Sequence, residues 1–317
     1  MGNGVKDNRS LLPDIIKIVC TCGIIFHHYQ QLTGTYFYRG LNFWGGKFYF
    51  GYLVEVFFLL SGWVMVPYVQ RIREQMSFRT FITGRLIRLL PSMIMATILY
   101  DVMLYVYVNF FDGTIRFPTE INIFGSIVTA LGIGAWGITK DYEINNVSWY
   151  VSVLILCYII MFILVYLSKK TRISLYYLLL IPIIVGIVRF YGVEYSYLPF
   201  FTTHIGRGYI HFFGGLLLGL ASKRILKTDK ERAGGQRKAL WLRKAIGNVA
   251  SATLDIYLFQ LSTLMMFFIA SNYLPIRLVS GKTMLIYLLF TFAFGYVYYI
   301  LIGKRIFAAL KKATGNW

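Results

Sequence analysis

An all-α, polytopic membrane bundle is the fold this sequence predicts, on three observations. Of its 317 residues, 57% are hydrophobic and only 14% charged, where a soluble domain carries about 25%. Apolar runs near the ~20 residues that a helix needs to cross a bilayer recur along nearly the whole chain. The net charge of +19 is gathered in short segments between those runs. That is the pattern of cytoplasmic loops under the positive-inside rule, so nucleic acid is not an expected partner. We read residues 1–317 as a single membrane domain of 8–10 transmembrane helices, surrounded by lipid and with no appended soluble domain.

Taken in order, the expected spans are 12–29, 48–69, 89–110, 147–167, 174–191, 205–221, 249–270 and 283–302. The first is expected to stay in the mature protein and not to act as a signal peptide, because Lys17, His27 and His28 break its apolar core and no small-residue cleavage site follows. Residues 71–88, RIREQMSFRTFITGRLIR, mix apolar and basic positions and predict a helix lying on the inner surface, with Pro91 marking the turn into the next span. The segment 121–138 is rich in glycine and short for a crossing.

Loop charge decides how that segment is treated. The N-terminus holds Lys6 and Arg9, and the loop after the second span holds Arg71, Arg73, Arg79 and Arg85. Both belong inside. If 121–138 crossed, KKTR at 169–172 and the basic stretch 223–244, with nine Lys/Arg against two Asp/Glu, would fall outside. If it dips in without crossing, both become cytoplasmic, together with a C-terminal tail that carries Lys304, Arg305, Lys311 and Lys312. We therefore expect eight crossings plus one re-entrant or interfacial segment, both termini cytoplasmic, and a basic cytoplasmic loop over 223–248. Two further short crossings would preserve parity, which gives the upper figure of ten.

Cys20, Cys22 and Cys157 all lie in apolar segments, without the spacing of a disulfide framework or a zinc site. His27 and His28 are adjacent and cannot face one metal from a regular helix, so no metal is expected. No GxSxG, HExxH or Walker loop occurs.

Four constellations carry candidate chemistry. Asp14, Lys17 and His28 share the first span, where charge is costly. His28 comes eleven steps after Lys17, about 1100° of helical rotation, within about 20° of three full turns. The two share a face about 16 Å apart along the axis, and Asp14 is on nearly the same side. The plainer reading has Asp14 and Lys17 at the inner interface, with Lys17 snorkelling and His28 closing the outer end. Arg85 and Arg88 are at i and i+3 on one face; guanidinium groups suit phosphate, or they serve as an inner-surface anchor. Glu55 lies within the second span and calls for an interior partner, close to the small pair Ser61-Gly62, which permits close helix approach. Trp149 and Tyr150 read as an interfacial aromatic belt, and Asp255 with Gln260 as a polar interior seam.

In this order, these pieces resemble the acyltransferase family 3 membrane proteins, which include O-acetylases of bacterial surface polysaccharides. Asp14, Lys17 and His28 are similar to that family's acidic residue, basic residue and histidine in the first span, and Lys17-x10-His28 keeps its spacing. Glu55-Val-Phe57-Phe58-Leu-Leu-Ser61-Gly62, Arg85-Leu-Ile-Arg88-Leu-Leu-Pro91, Trp149-Tyr-Val-Ser152 and the stretch from Ser251 to Leu258 resemble four further motifs of the family. Lys17 departs from the usual arginine, and Gln260 stands where many members have histidine.

The resemblance implies an O-acyltransferase in a bacterial cytoplasmic membrane. Its donor would be cytoplasmic acyl-CoA, acetyl-CoA above all, with the phosphates held by Arg85, Arg88 and Lys17. His28 would act as general base or transient acyl carrier, with Glu55 orienting it. The acceptor would be a hydroxyl of a lipid-linked or cell-surface polysaccharide. Two other classes fit the residues alone: a carrier or exporter of a glycan or lipid intermediate, and a structural subunit whose charges only set topology.

Overall fold

The computed structural model describes residues 11–34, 42–46, 48–111, 122–138, 144–192, 198–225 and 240–315. Among them there is no strand. The helices are α1 Leu11–Thr33, α2 Leu53–Trp63, α3 Val66–Arg73, α4 Phe78–Phe110, α5 Ile123–Ala130, α6 Trp149–Thr171, α7 Leu175–Ile187, α8 Thr203–Ile225, α9 Leu240–Ala270, α10 Gly281–Tyr298 and α11 Lys304–Ala313.

Seven helical segments among the described residues are long and apolar enough to span a membrane: α1, Phe50–Arg73 (α2 with α3), α4, α6, α7 with the π-helical turn that extends it to Gly192, α9 from Arg243, and Gly281–Ala313 (α10 with α11). The remaining expected span, 205–221, falls on α8. That helix has 23 residues, packs against α2, α6 and α7, and carries His204, Arg207 and His211, which lower its apolar character. The chain is a multi-pass membrane protein.

The described part of segment 121–138, residues 122–138, is short for a crossing. Its one α-helix, α5, has 8 residues and is about 12 Å long, too short for a hydrocarbon core of about 30 Å. Asn122 caps it by accepting from the Gly125 N–H at 3.0 Å. The expected turn at Pro91 is overturned. α4 runs unbroken through Pro91 for 33 residues, and residues 71–88 are divided between the end of α3 and the first turns of α4. A proline inside a helix frees one carbonyl, which membrane helices tolerate. The ~20 residues after Pro91 are enough to cross, so Arg79, Arg85 and Arg88 ride on the leading turns of the spanning helix itself. α4 begins where it does because Ser77 caps it, its hydroxyl accepting from the Thr80 N–H at 3.1 Å. The basic loop is narrower than expected: α8 extends to Ile225 and α9 starts at Leu240. Residues 226–239, like Lys6 and Arg9, lie outside the described residues.

α6 and α9 form the centre. Their most apolar windows are 72% and 78% buried, against 22% for the C-terminal segment. α9 touches α1, α4 and α10, and α8 touches α2, α6 and α7. Large apolar side chains such as Tyr177, Ile184 and Leu289 are exposed. On a soluble protein so wide an apolar surface would drive association; here it is the face that lipid covers.

α2 and α8 meet backbone to backbone. A Cβ on Gly62 would run into the Phe212 carbonyl, and one on Gly215 into the Leu59 carbonyl. Close approach of this kind is how membrane helices gain packing without a hydrophobic driving force, as the Ser61-Gly62 pair suggested.

Candidate active site

A cavity of about 490 Å³ opens between α1, α2, α4, α6 and α9, within the ~300–1,000 Å³ typical of small-molecule sites. Lys17 enters it from α1, and Arg85 and Arg88 from α4. Thus all three residues expected to hold the donor line one space, although 68 positions separate Lys17 from Arg85 in the chain. Asp14 also lines it. The continuity of α4 makes this convergence possible: it carries the i, i+3 arginine pair on a rigid helix rather than on a surface segment.

The two arginines are held differently. The Arg85 guanidinium sits 4.0 Å from the centroid of the Tyr68 ring, with the Phe81 and Tyr158 rings at 5.6 and 5.8 Å. This aromatic cradle fixes a delocalised cation by cation–π attraction. Its Nε is buried and makes no hydrogen bond among the described residues, which leaves a directed donor unused. Arg88 is exposed to the cavity, and the buried Asp255 on α9 is close enough to interact with its charge.

The cavity's far wall is aromatic and hydroxylic. Ser61 on α2 and Tyr150 on α6 share a hydrogen bond of 3.0 Å between their hydroxyl oxygens, and both line the cavity with Tyr257 of α9. Trp149 and Tyr150 were expected in an interfacial belt, and that expectation is corrected. Both are buried. Trp149 stacks on His204 with ring centroids 4.3 Å apart, and Tyr150 belongs to the cavity wall. They lie at the N-terminus of the most buried part of α6, where helix packing and not the lipid interface takes their rings.

His28 is buried and does not line the cavity. Its Nδ1 lies 3.1 Å from Oε1 of Gln260. Gln260 is one turn beyond Tyr257 on α9, so His28 is one residue removed from the cavity wall. Glu55 is buried too, but its partner is not His28. The Arg207 Nε donates to Glu55 Oε1 at 2.7 Å, and Arg207 Nη2 donates to the Gly51 carbonyl at 2.8 Å. The Arg207 guanidinium also lies 4.8 Å from the Trp149 ring. Glu55 Oε2 makes no hydrogen bond among the described residues. His27 binds the Phe43 carbonyl through Nδ1 at 3.0 Å and packs edge-on against Trp44 and Tyr49.

Sequence reasoning missed Arg207 and Tyr68. An arginine inside an apolar segment is a signal by itself, so Arg207 could have been singled out, though not as the partner of Glu55. Tyr68 carried none, since one tyrosine among the 25 in the chain says nothing until the fold lays it under Arg85.

Residues 12–313 match the family description of an acyltransferase domain. The chain belongs to that acyltransferase family. No curated protein and no solved structure matches it. Membership covers nearly the whole chain, so the cavity, the arginine pair and His28 all lie within the acyltransferase domain. The chain is therefore a membrane acyltransferase.

Proposed function

We propose that this acyltransferase moves an acetyl group from cytoplasmic acetyl-CoA to a hydroxyl of a lipid-linked or cell-surface polysaccharide, in a bacterial cytoplasmic membrane. The observation that carries the reading is the convergence of Lys17, Arg85 and Arg88 on one cavity, with His28 buried behind its lining residue Tyr257 and joined to it through Gln260. Three cations in one cavity suit a donor with several phosphates. Arg85 keeps its guanidinium at the cavity by aromatic packing, and its Nε makes no hydrogen bond among the described residues. Arg85, Arg88 and Lys17 would hold the phosphates, and the donor supplies an acyl group activated as a thioester.

In the transfer, His28 takes the proton of the acceptor hydroxyl, a bond forms between that oxygen and the acyl carbon, and the acyl–sulfur bond breaks. The proton then passes to the departing thiolate, leaving an ester and a free thiol. Glu55, neutralised by Arg207, keeps one carboxylate oxygen for a hydroxyl-bearing acceptor.

Binding of CoA by the solubilised protein, measured calorimetrically, tests the donor half of this reading. Wild type binds, and Arg88→Ala weakens binding by about tenfold or more, the loss of a charge-assisted contact. Absence of CoA binding by the wild type would contradict it and favour a carrier.

A further inference from the structure

Gln260 stands on α9 where it touches both the cavity wall and His28, and its geometry settles which nitrogen of His28 is free. The side chain is fully buried. Its amide Nε2 donates to the Tyr257 carbonyl at 2.8 Å, and its Oε1 lies 3.1 Å from His28 Nδ1. A carbonyl oxygen only accepts. The end of the amide that faces Tyr257 is therefore the nitrogen, and the end that faces His28 is the oxygen. Since that oxygen also only accepts, the proton between the two residues belongs to His28 Nδ1.

The Gln260 oxygen thus stabilises the Nδ1–H form. A neutral imidazole has one N–H, so His28 Nε2 carries a bare lone pair.

The glutamine is itself held. Tyr287 of α10 donates its hydroxyl to the Gln260 carbonyl at 2.6 Å, and the Thr263 hydroxyl donates to the same oxygen at 2.9 Å. Tyr257, which receives the amide, is anchored by its own hydroxyl to the Val147 carbonyl at 2.9 Å. This ties three elements, α9, α10 and the turn before α6, to the orientation of one ring on α1.

We propose that Gln260 is a positioning residue for the acyl transfer: its amide oxygen holds His28 in the Nδ1–H tautomer and presents Nε2 to the acceptor hydroxyl. The inference rests on the reading of His28 as the base, and the orienting role expected of Glu55 passes to Gln260. It takes no proton itself, since an amide does not titrate.

Nitrogen-15 NMR of histidine-labelled protein in lipid reads the tautomer directly. The chain has four histidines, so comparison with His28→Ala assigns the His28 signals. The expected spectrum has a protonated Nδ1 and an unprotonated Nε2; a protonated Nε2 in the wild type overturns the proposal. Kinetics then tests positioning. Gln260→Met keeps length and bulk but loses the oxygen. It should lower kcat about 10- to 100-fold, the scale of a misplaced base, and leave the donor KM unchanged. Gln260→Glu keeps the acceptor oxygen and should recover most of kcat.

Wild-type kcat in Gln260→Met, or a Gln260→Glu variant as slow as Gln260→Met, overturns the role. Melting temperatures of both variants separate a slow enzyme from an unfolded one, and the wild-type spectrum stands even if neither folds. Full transfer by His28→Ala would sink the base reading instead, and leaves the tautomer result standing on its own.

Discussion

At the scale of single residues, the site is built from cations whose surroundings assign them different work. Arg85 is clasped by three aromatic rings, with Tyr68 closest. Lysine has no planar face to lay on a ring and no fork of donors, so Arg85→Lys should raise the KM for the donor about tenfold while kcat changes little; an unchanged KM in initial-rate assays would show that Arg85 only packs. The charges and histidine of the first span were legible in the sequence because an ionisable residue in an apolar run demands a reason. Their spacing on one face was legible from helical geometry alone. The true partner of Glu55 was not, because helical spacing says nothing about contacts between residues 152 positions apart. Gln260 was likewise visible only as a polar residue in a span, and its hydrogen bond crosses 232 positions.

At the scale of elements, α2 and α8 form the tightest pair, joined by glycine-mediated contact and by the Glu55–Arg207 ion pair. Removing one partner of a buried pair leaves an uncompensated charge and costs about 3–5 kcal/mol. Arg207→Leu should therefore lower the melting temperature markedly, and adding Glu55→Gln should restore much of it. Equal losses that simply add would show that the two residues do not act together. Gly62→Ala should cost roughly 1–3 kcal/mol through overpacking against α8, read as a drop in melting temperature; an unshifted transition would mean that the helices separate easily there. The existence of the spans was readable from hydropathy. Their ends were not, and Pro91 was misread as a turn. A proline breaks a helix in water more readily than in a membrane, where neighbouring groups re-satisfy the freed carbonyl.

At the scale of the whole molecule, the bundle brings together what the chain keeps far apart. Lys17 on α1, the arginine pair on α4 and Tyr257 on α9 meet in one cavity, and α6 and α9 at the centre hold its walls. From loop charge we propose that both termini are cytoplasmic and that 121–138 dips in without crossing. Reporter fusions at each terminus should therefore both be active on the cytoplasmic side, and reporters on opposite sides would overturn that topology. The central claim is acyl transfer through His28 with a donor held by the arginines. Its most direct test is transfer of label from radioactive acetyl-CoA into a glycan fraction, in membranes that hold wild type, His28→Ala or Arg88→Ala. Labelled glycan is expected from wild type, with loss of label in His28→Ala and a severe reduction in Arg88→Ala at low donor concentration that eases as donor is raised. Undiminished labelling by His28→Ala would contradict the claim.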